Sequence, residues 1–372
     1  MWDAYGFAPT GRGPYPKKLR EIIAAGAGRD EITDTIEEFN MVGSLESPAI
    51  LGQVAEAWGR AGVDCVFQNA GVEGNSIERL IKRLSRFTYV ADRHNELYSR
   101  VAFPEQVVAA KANGKRCLYL TTNGVPVPRD IESVESALDM LKVFFRLGVR
   151  MMHMTYNRRN LIGDGCAETS NAGLSDFGRE VVWEMNRVGI IPDVAHSGQR
   201  TSLETAQCSK KPVVASHSVA GKLSSHYRAK SDETIKAIIK SGGYIGICAH
   251  PPFYRGSGYI DSFLDHIDYV AKNYGADYVA IGTDHSNQVG TPDPEPLVIS
   301  ARRPIFEQYW SEPDAPFTQD VDEHGSKMYD SVAWTNWPLF TVGLVQRGYS
   351  DNDIQKIIGG NVKRVAEETL EA

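Results

Sequence analysis

Apolar residues fall into two alternating patterns along most of this chain. Some form short unbroken runs bounded by Gly, Pro or charge, and others recur every third or fourth position over longer stretches. The first pattern predicts buried strands and the second amphipathic helices. Strands are expected at residues 35–42, 64–68, 116–121, 149–154, 190–195, 213–216, 244–248 and 278–282, with helices such as 131–147, 232–241 and 259–274 between them. The segment 173–217 shows the unit most plainly. Gly173 to Asp176 reads as a helix entry, Phe177, Val181, Val182, Met185 and Val188 repeat at helical spacing, and Gly189 stops the helix. An apolar strand then runs to His196, and the same sequence of events repeats to His217. Eight such alternations predict an α/β fold of the (β/α)8 TIM-barrel type rather than an open doubly wound sheet.

Residues 1–30 are rich in Gly, Pro and charge and are expected to form an extension ahead of a single domain spanning 31–372. A Pro-, Asp- and Glu-rich stretch at about 286–330 reads as a long insertion after the eighth strand. The C-terminus should hold two helices, the second starting after the cap-like Ser350.

Composition adds mainly exclusions. The chain has 372 residues, 42% hydrophobic and 23% charged, as globular proteins do. A net charge of −7 with no basic block argues against a nucleic-acid partner. No run has the length of a signal peptide core or a membrane span, so a soluble cytoplasmic protein with no membrane partner is expected. Five scattered cysteines without CxxC spacing argue against a disulfide framework or a thiolate zinc site. Neither GxGxxG nor GxxxxGK[ST] is present after an early strand.

The candidate chemistry sits at strand ends. In a parallel barrel these converge on one face, so His196 and His217 are expected to be neighbours although 21 residues apart. Paired neutral imidazoles suit zinc or a similar divalent ion; the bland alternative is a pair of hydrogen-bonded histidines in a polar barrel mouth. The run YVAIG ends in Thr283, Asp284 and His285, and His250 follows the seventh strand. His153 alternates with Met152 and Met154 and is expected to face the helix layer.

With these residues in view, the motifs RLGVRMMHMTYN (146–157), GLSDFGREVVWEMNRVGIIPDVAHS (173–197), KPVVASHS followed by Tyr227 and Arg228, AIGTDHSN (280–287) and the closing NWP…RGYSDNDIQKIIGGN can be compared as a set. Together they resemble the membrane dipeptidase (renal dipeptidase) family of zinc metallopeptidases, a branch of the amidohydrolase-type barrels. The resemblance implies two zinc ions at the barrel mouth bridged by a Glu. His196 and His217 match the two His ligands of one ion, Asp284 matches an Asp ligand of the other, and Arg228 matches an Arg that grips the substrate carboxylate.

The departures are equally specific. The family's first strand carries a His-Asn-Asp triplet, and Phe39, Asn40 and Met41 stand at the place expected here; Glu38 is a candidate replacement carboxylate. Asn123 falls where the bridging Glu should be, and Tyr156 where a His stabilises the tetrahedral intermediate. The expectation is therefore a divergent, dipeptidase-like metallo-hydrolase with one divalent metal per chain, zinc by resemblance. His196, His217 and Asp284 would hold it, with His250 or His285 as additional ligands, and a metal-free acid–base site is the alternative. Asp284 and Tyr156 are the catalytic candidates, with Arg228, Tyr156, His250 and Asn123 contacting a small-molecule carboxylate substrate such as a dipeptide. Lyase or isomerase chemistry on a small acid, and a catalytically degenerate binding protein, remain as alternatives. The resemblance also implies a homodimer.

Overall fold

The computed structural model describes residues 1–72, 77–128, 132–295, 297 and 327–370, so most of the expected insertion lies outside the described residues. Eight parallel strands form the barrel: β1 (Trp2–Gly6), β2 (Cys65–Val72), β3 (Arg116–Asn123), β4 (Val149–His153), β5 (Ile191–Asp193), β6 (Ala215–Ala220), β7 (Ile245–Ile247) and β8 (Val279–Ile281). Neighbours pair in that order from β1 to β5 and again from β6 to β8, and a parallel bridge from Asp193 to Val214 joins the two sets. Closure is made at the mouth, where the Asp284 amide donates to the Tyr5 carbonyl (3.0 Å) and the Phe7 amide to the His285 carbonyl (3.2 Å). The fold is thus the expected (β/α)8 barrel.

Seven of the eight expected strands are present, and the eighth is not where the apolar pattern put it. Residues 35–42 belong to a helix, Arg29–Met41. The first barrel strand is Trp2–Gly6, inside the stretch expected to be an extension, and all five of its residues are buried. The physical reason is on each side of the exchange. Asp34, Glu37 and Glu38 face the helix Ile77–Arg93 and pair with Arg79, Arg83 and Arg86 at 2.7–3.1 Å, which helical spacing allows. The WDAYG strand has no β-branched run to announce it; it is held instead by Asp3. The buried Asp3 carboxylate accepts from the Thr283 amide (2.9 Å), the Thr283 hydroxyl (2.6 Å) and Trp334 Nε1 (3.1 Å), clasping β1 to β8 and to the C-terminal helices.

The core has two layers. Ala4, Phe67, Tyr119, Met151, Ile191 and Tyr244 fill the barrel interior, while a larger cluster packs between strands and helices. Along β4, Met151 belongs to the inner layer and Met152 to the outer. His153, two residues beyond Met151, therefore points inward, contrary to the expectation that it faces the helices. The helix Asp176–Val188 shows how the βα units are set: the Ser175 hydroxyl accepts from the Gly178 amide (2.9 Å), and Gly189 ends the helix in a left-handed conformation (φ 91°). Its buried Val181, Val182 and Met185 each contribute about 1.5–3 kcal/mol of apolar burial. Near the mouth, a Cβ at Gly246 or Gly282 would lie 1.8 or 1.9 Å from the Ser216 carbonyl, so only glycine lets β6, β7 and β8 approach this closely beside His217.

Candidate metal and substrate site

His196 and His217 follow and lie in the ends of adjacent strands, and their Nε2 atoms are 3.0 Å apart. Each imidazole is oriented from behind. The His196 Nδ1–H donates to Asn157 Oδ1 (2.7 Å), which also accepts from the Cys166 thiol (3.2 Å). Ser216 spends its single hydroxyl proton on Asp193 Oδ2, so its oxygen must accept from the His217 Nδ1–H at 2.7 Å. Both Nε2 atoms are thereby left unprotonated, 3.0 Å from each other. Burial, with Arg228 adding to it, holds both histidines well below the usual imidazole range, so a proton between them is disfavoured. At this spacing one divalent cation set off the line between the two nitrogens, with an N–metal–N angle of about 90–95°, could take about 2.0–2.1 Å bonds from both.

Aromatic rings fix the two planes. Tyr5 stacks on His217 (centroids 3.9 Å, interplanar 9°) and Tyr156 on His196 (4.2 Å, 25°). The Tyr5 hydroxyl donates to Asn123 Oδ1. The end of the true first strand thus carries Tyr5, Gly6 and Phe7, not the Phe39–Met41 segment expected, and Glu38 lies on an outer helix paired with Arg86. Tyr5 and Asn123 present neutral groups to the mouth, where the family's first-strand and bridging carboxylates are expected.

Asp284 faces the pair, with Oδ2 3.9 Å from His217 Nε2. Burial raises its carboxyl to about 6 against the pull of Arg228 and His153, which leaves it mainly anionic at neutral pH. Asp284 and Asn157 both adopt positive φ (54° and 42°), a left-handed conformation that Asn and Asp enter more readily than other non-glycine residues. Arg228 is buried; its Nε donates to the Ala195 carbonyl (3.1 Å) and Nη2 to the His217 carbonyl (2.7 Å). Those bonds use one edge of the guanidinium and hold it in place.

His250 and His285 stand apart from the histidine pair. Their rings are 6.4 Å apart across a cleft of about 380 Å³ that Asp284, Tyr329 and Asp330 also line, and the Tyr329 hydroxyl lies 3.1 Å from His250 Nε2. Among the described residues, one group of three ligand-type side chains has its donor atoms within 4.8 Å of one another, and it consists of His153, Asp193 and His217. His196, Asp284, His250 and His285 are not in it. Sequence reasoning missed Tyr5, His153, Asp193 and Ser216. The signal for His153 was present, since alternation along β4 puts it on the face of Met151.

A parallel barrel with a polar histidine site at its C-terminal strand ends is the amidohydrolase-type arrangement. Residues 51–294 match the Membrane dipeptidase (Peptidase family M19) profile, and the chain belongs to that family. It is 29% identical over 203 residues to an uncharacterised dipeptidase of Schizosaccharomyces pombe, covering 52% of this chain and 47% of that protein. It is 26% identical over 244 residues to the dipeptidase verJ of Clonostachys rogersoniana, covering 65% of this chain and 54% of the other. The chain thus spans about half the length of these curated relatives. Among solved structures, an amidohydrolase from Pseudomonas aeruginosa superposes with a TM-score of 0.69 at 28% identity, covering 86% of this chain and 93% of that one. A metallo peptidase from Rhodobacter sphaeroides, liganded with a phosphinate mimic of the dipeptide L-Ala-D-Ala, shares the fold at 17% identity (TM-score 0.67, 99% of each chain). Among the described residues no helix is long and apolar enough to cross a membrane.

Proposed function

We propose that this protein is a metal-dependent hydrolase of a small amide bearing a free carboxylate, a dipeptide being the family-typical case, with one divalent ion, zinc by resemblance, held by His196 and His217. The observation that carries the reading is the pair of Nε2 lone pairs 3.0 Å apart, both tautomers fixed from behind. The ion, when bound, supplies Lewis acidity at the mouth.

The chain's own groups supply the rest. Arg228 has two of its N–H groups committed to carbonyls, and its end-on Nη1/Nη2 edge is the fork left to grip a carboxylate. Asp284 takes a proton at its carboxylate from the attacking water and returns it to the leaving amine. Burial, reinforced by Asp284, keeps the Tyr156 phenol protonated above its usual range, so its hydroxyl can donate to the oxyanion that develops at the scissile carbonyl. A panel of dipeptides, their C-terminal amides and N-acyl amino acids, assayed with added zinc, manganese or cobalt, tests this reading. Free-carboxylate substrates should turn over, and Arg228→Gln should raise KM by roughly 10–100-fold, the worth of a charged hydrogen-bonded contact. Equal turnover of amidated and free dipeptides would remove the assigned role of Arg228, and no turnover of any amide would remove the hydrolase reading.

A further inference from the structure

His153 is a fully buried imidazole at the end of β4, and the sequence pattern gave it no role. Its ring centroid lies 5.1 Å from that of His196, 5.2 Å from that of His217 and 5.2 Å from that of Tyr5. With the 5.0 Å separation of His196 and His217, the three imidazoles form a nearly equilateral cluster.

The nitrogens of His153 have unequal surroundings. Nε2 sits in close ionic contact with Asp193 Oδ2 (2.7 Å) and Nδ1 contacts no carboxylate, and neither ring nitrogen makes a well-aligned hydrogen bond. A buried ring nitrogen without a partner costs about 1–3 kcal/mol, so its retention inside a barrel calls for a partner of another kind. The carboxylate beneath is fully engaged. Asp193 Oδ1 accepts from the amides of Ala195 (2.9 Å) and Ser216 (3.1 Å), and Oδ2 accepts the Ser216 hydroxyl and contacts His153. Burial opposes its ionisation, but His153 and the Ser216 donors outweigh it and hold the carboxyl below the usual range. Asp193 is thus an anion facing Nε2 of His153 directly and Nδ1 of His217 through Ser216. Metal-binding histidines typically present their other ring nitrogen to a carboxylate, which fixes the tautomer and strengthens the ligand.

We propose that His153 is the third nitrogen ligand of the metal centre, coordinating through Nδ1, and that Asp193 is the positioning residue that orients both His153 and His217. The inference rests on the single-ion reading above and deepens it: three imidazoles compensate for the ligand places that Tyr5 and Asn123 now fill. A three-histidine centre leaves a position open for water or substrate, as catalytic zinc sites do. Asp284 is then released to handle protons.

The native full-length protein loaded with cobalt(II) or zinc(II) gives the primary test. X-ray absorption should count three imidazoles on the ion; a count of two overturns the assignment. In parallel, metal affinity is measured by chelator competition for the wild type, His196→Ala, His153→Gln and Asp193→Asn, with circular dichroism confirming that each folds. His153→Gln should bind at least about 100-fold more weakly and change the cobalt visible spectrum, and Asp193→Asn should lose roughly 10–100-fold, the usual effect of removing an orienting partner. Unchanged affinity and spectrum in His153→Gln, with metal lost in His196→Ala, would overturn the role of His153 and leave the single-ion reading standing. A wild type that binds no ion would remove that reading itself.

Discussion

At the scale of single residues, the mouth is built from polar groups buried in pairs, and Lys230 is the exception. Its side chain is fully buried; Nζ donates to the Ser197 carbonyl (2.8 Å) and Ser202 Oγ (3.1 Å), and it makes no ion pair among the described residues. These bonds anchor the turn that follows His196. Burial lowers the ammonium from 10.5 to about 7. Between those two values the unfolded chain binds the proton and the folded chain does not, so stability rises as pH increases from 7 through 10.5. Lys230→Met should abolish that slope, so denaturant melts between pH 7 and 10 should show the wild type gaining stability relative to the variant; parallel curves would contradict it. The meeting of His196, His217 and Asp284 at the barrel mouth was legible in the sequence because each stands at a strand end. Roles were hidden where they depend on what lies behind a side chain: Ser216 matters because Asp193 takes its proton, and no spacing rule reveals that.

At the scale of elements, the N-terminal strand decides how the barrel closes. Seven strands were readable because each is a compact apolar run, and some are followed by a plainly capped helix, as Ser175 and Gly189 bracket Asp176–Val188. Trp2–Gly6 was not readable, since its residues alternate Trp, Asp, Ala, Tyr, and beyond the Tyr5 amide its carboxylate is satisfied by partners 280 and 331 positions away in the chain. The acidic helix Arg29–Met41 imitated a strand because Ile36 and Phe39 were read without the arginines that pair with Glu37 and Glu38 on the same helix. Asp3→Ala should strand the Thr283 and Trp334 donors at about 1–3 kcal/mol each, a loss of at least about 3 kcal/mol in urea unfolding. A change below 1 kcal/mol would mean that the clasp contributes little to closure.

At the scale of the whole molecule, fold and family were legible, and which side chains meet at the mouth was only partly so. Barrel topology follows from the order of alternating patterns, which a linear sequence records directly. A metal site is a convergence of strand ends, and a one-strand error in numbering the barrel moved the expected first-strand ligands from Tyr5–Phe7 to Phe39–Met41. The corrected assignment bears on the proposed single ion, because Tyr5 stacks on His217 and bonds Asn123, two neutral groups at the places where the family resemblance implies metal ligands. Elemental analysis of the protein purified without chelators, beside a His196→Ala/His217→Ala double variant, tests this most directly. The account predicts one divalent ion per chain, lost in the double variant. Two ions per chain, or one retained without both histidines, would contradict it.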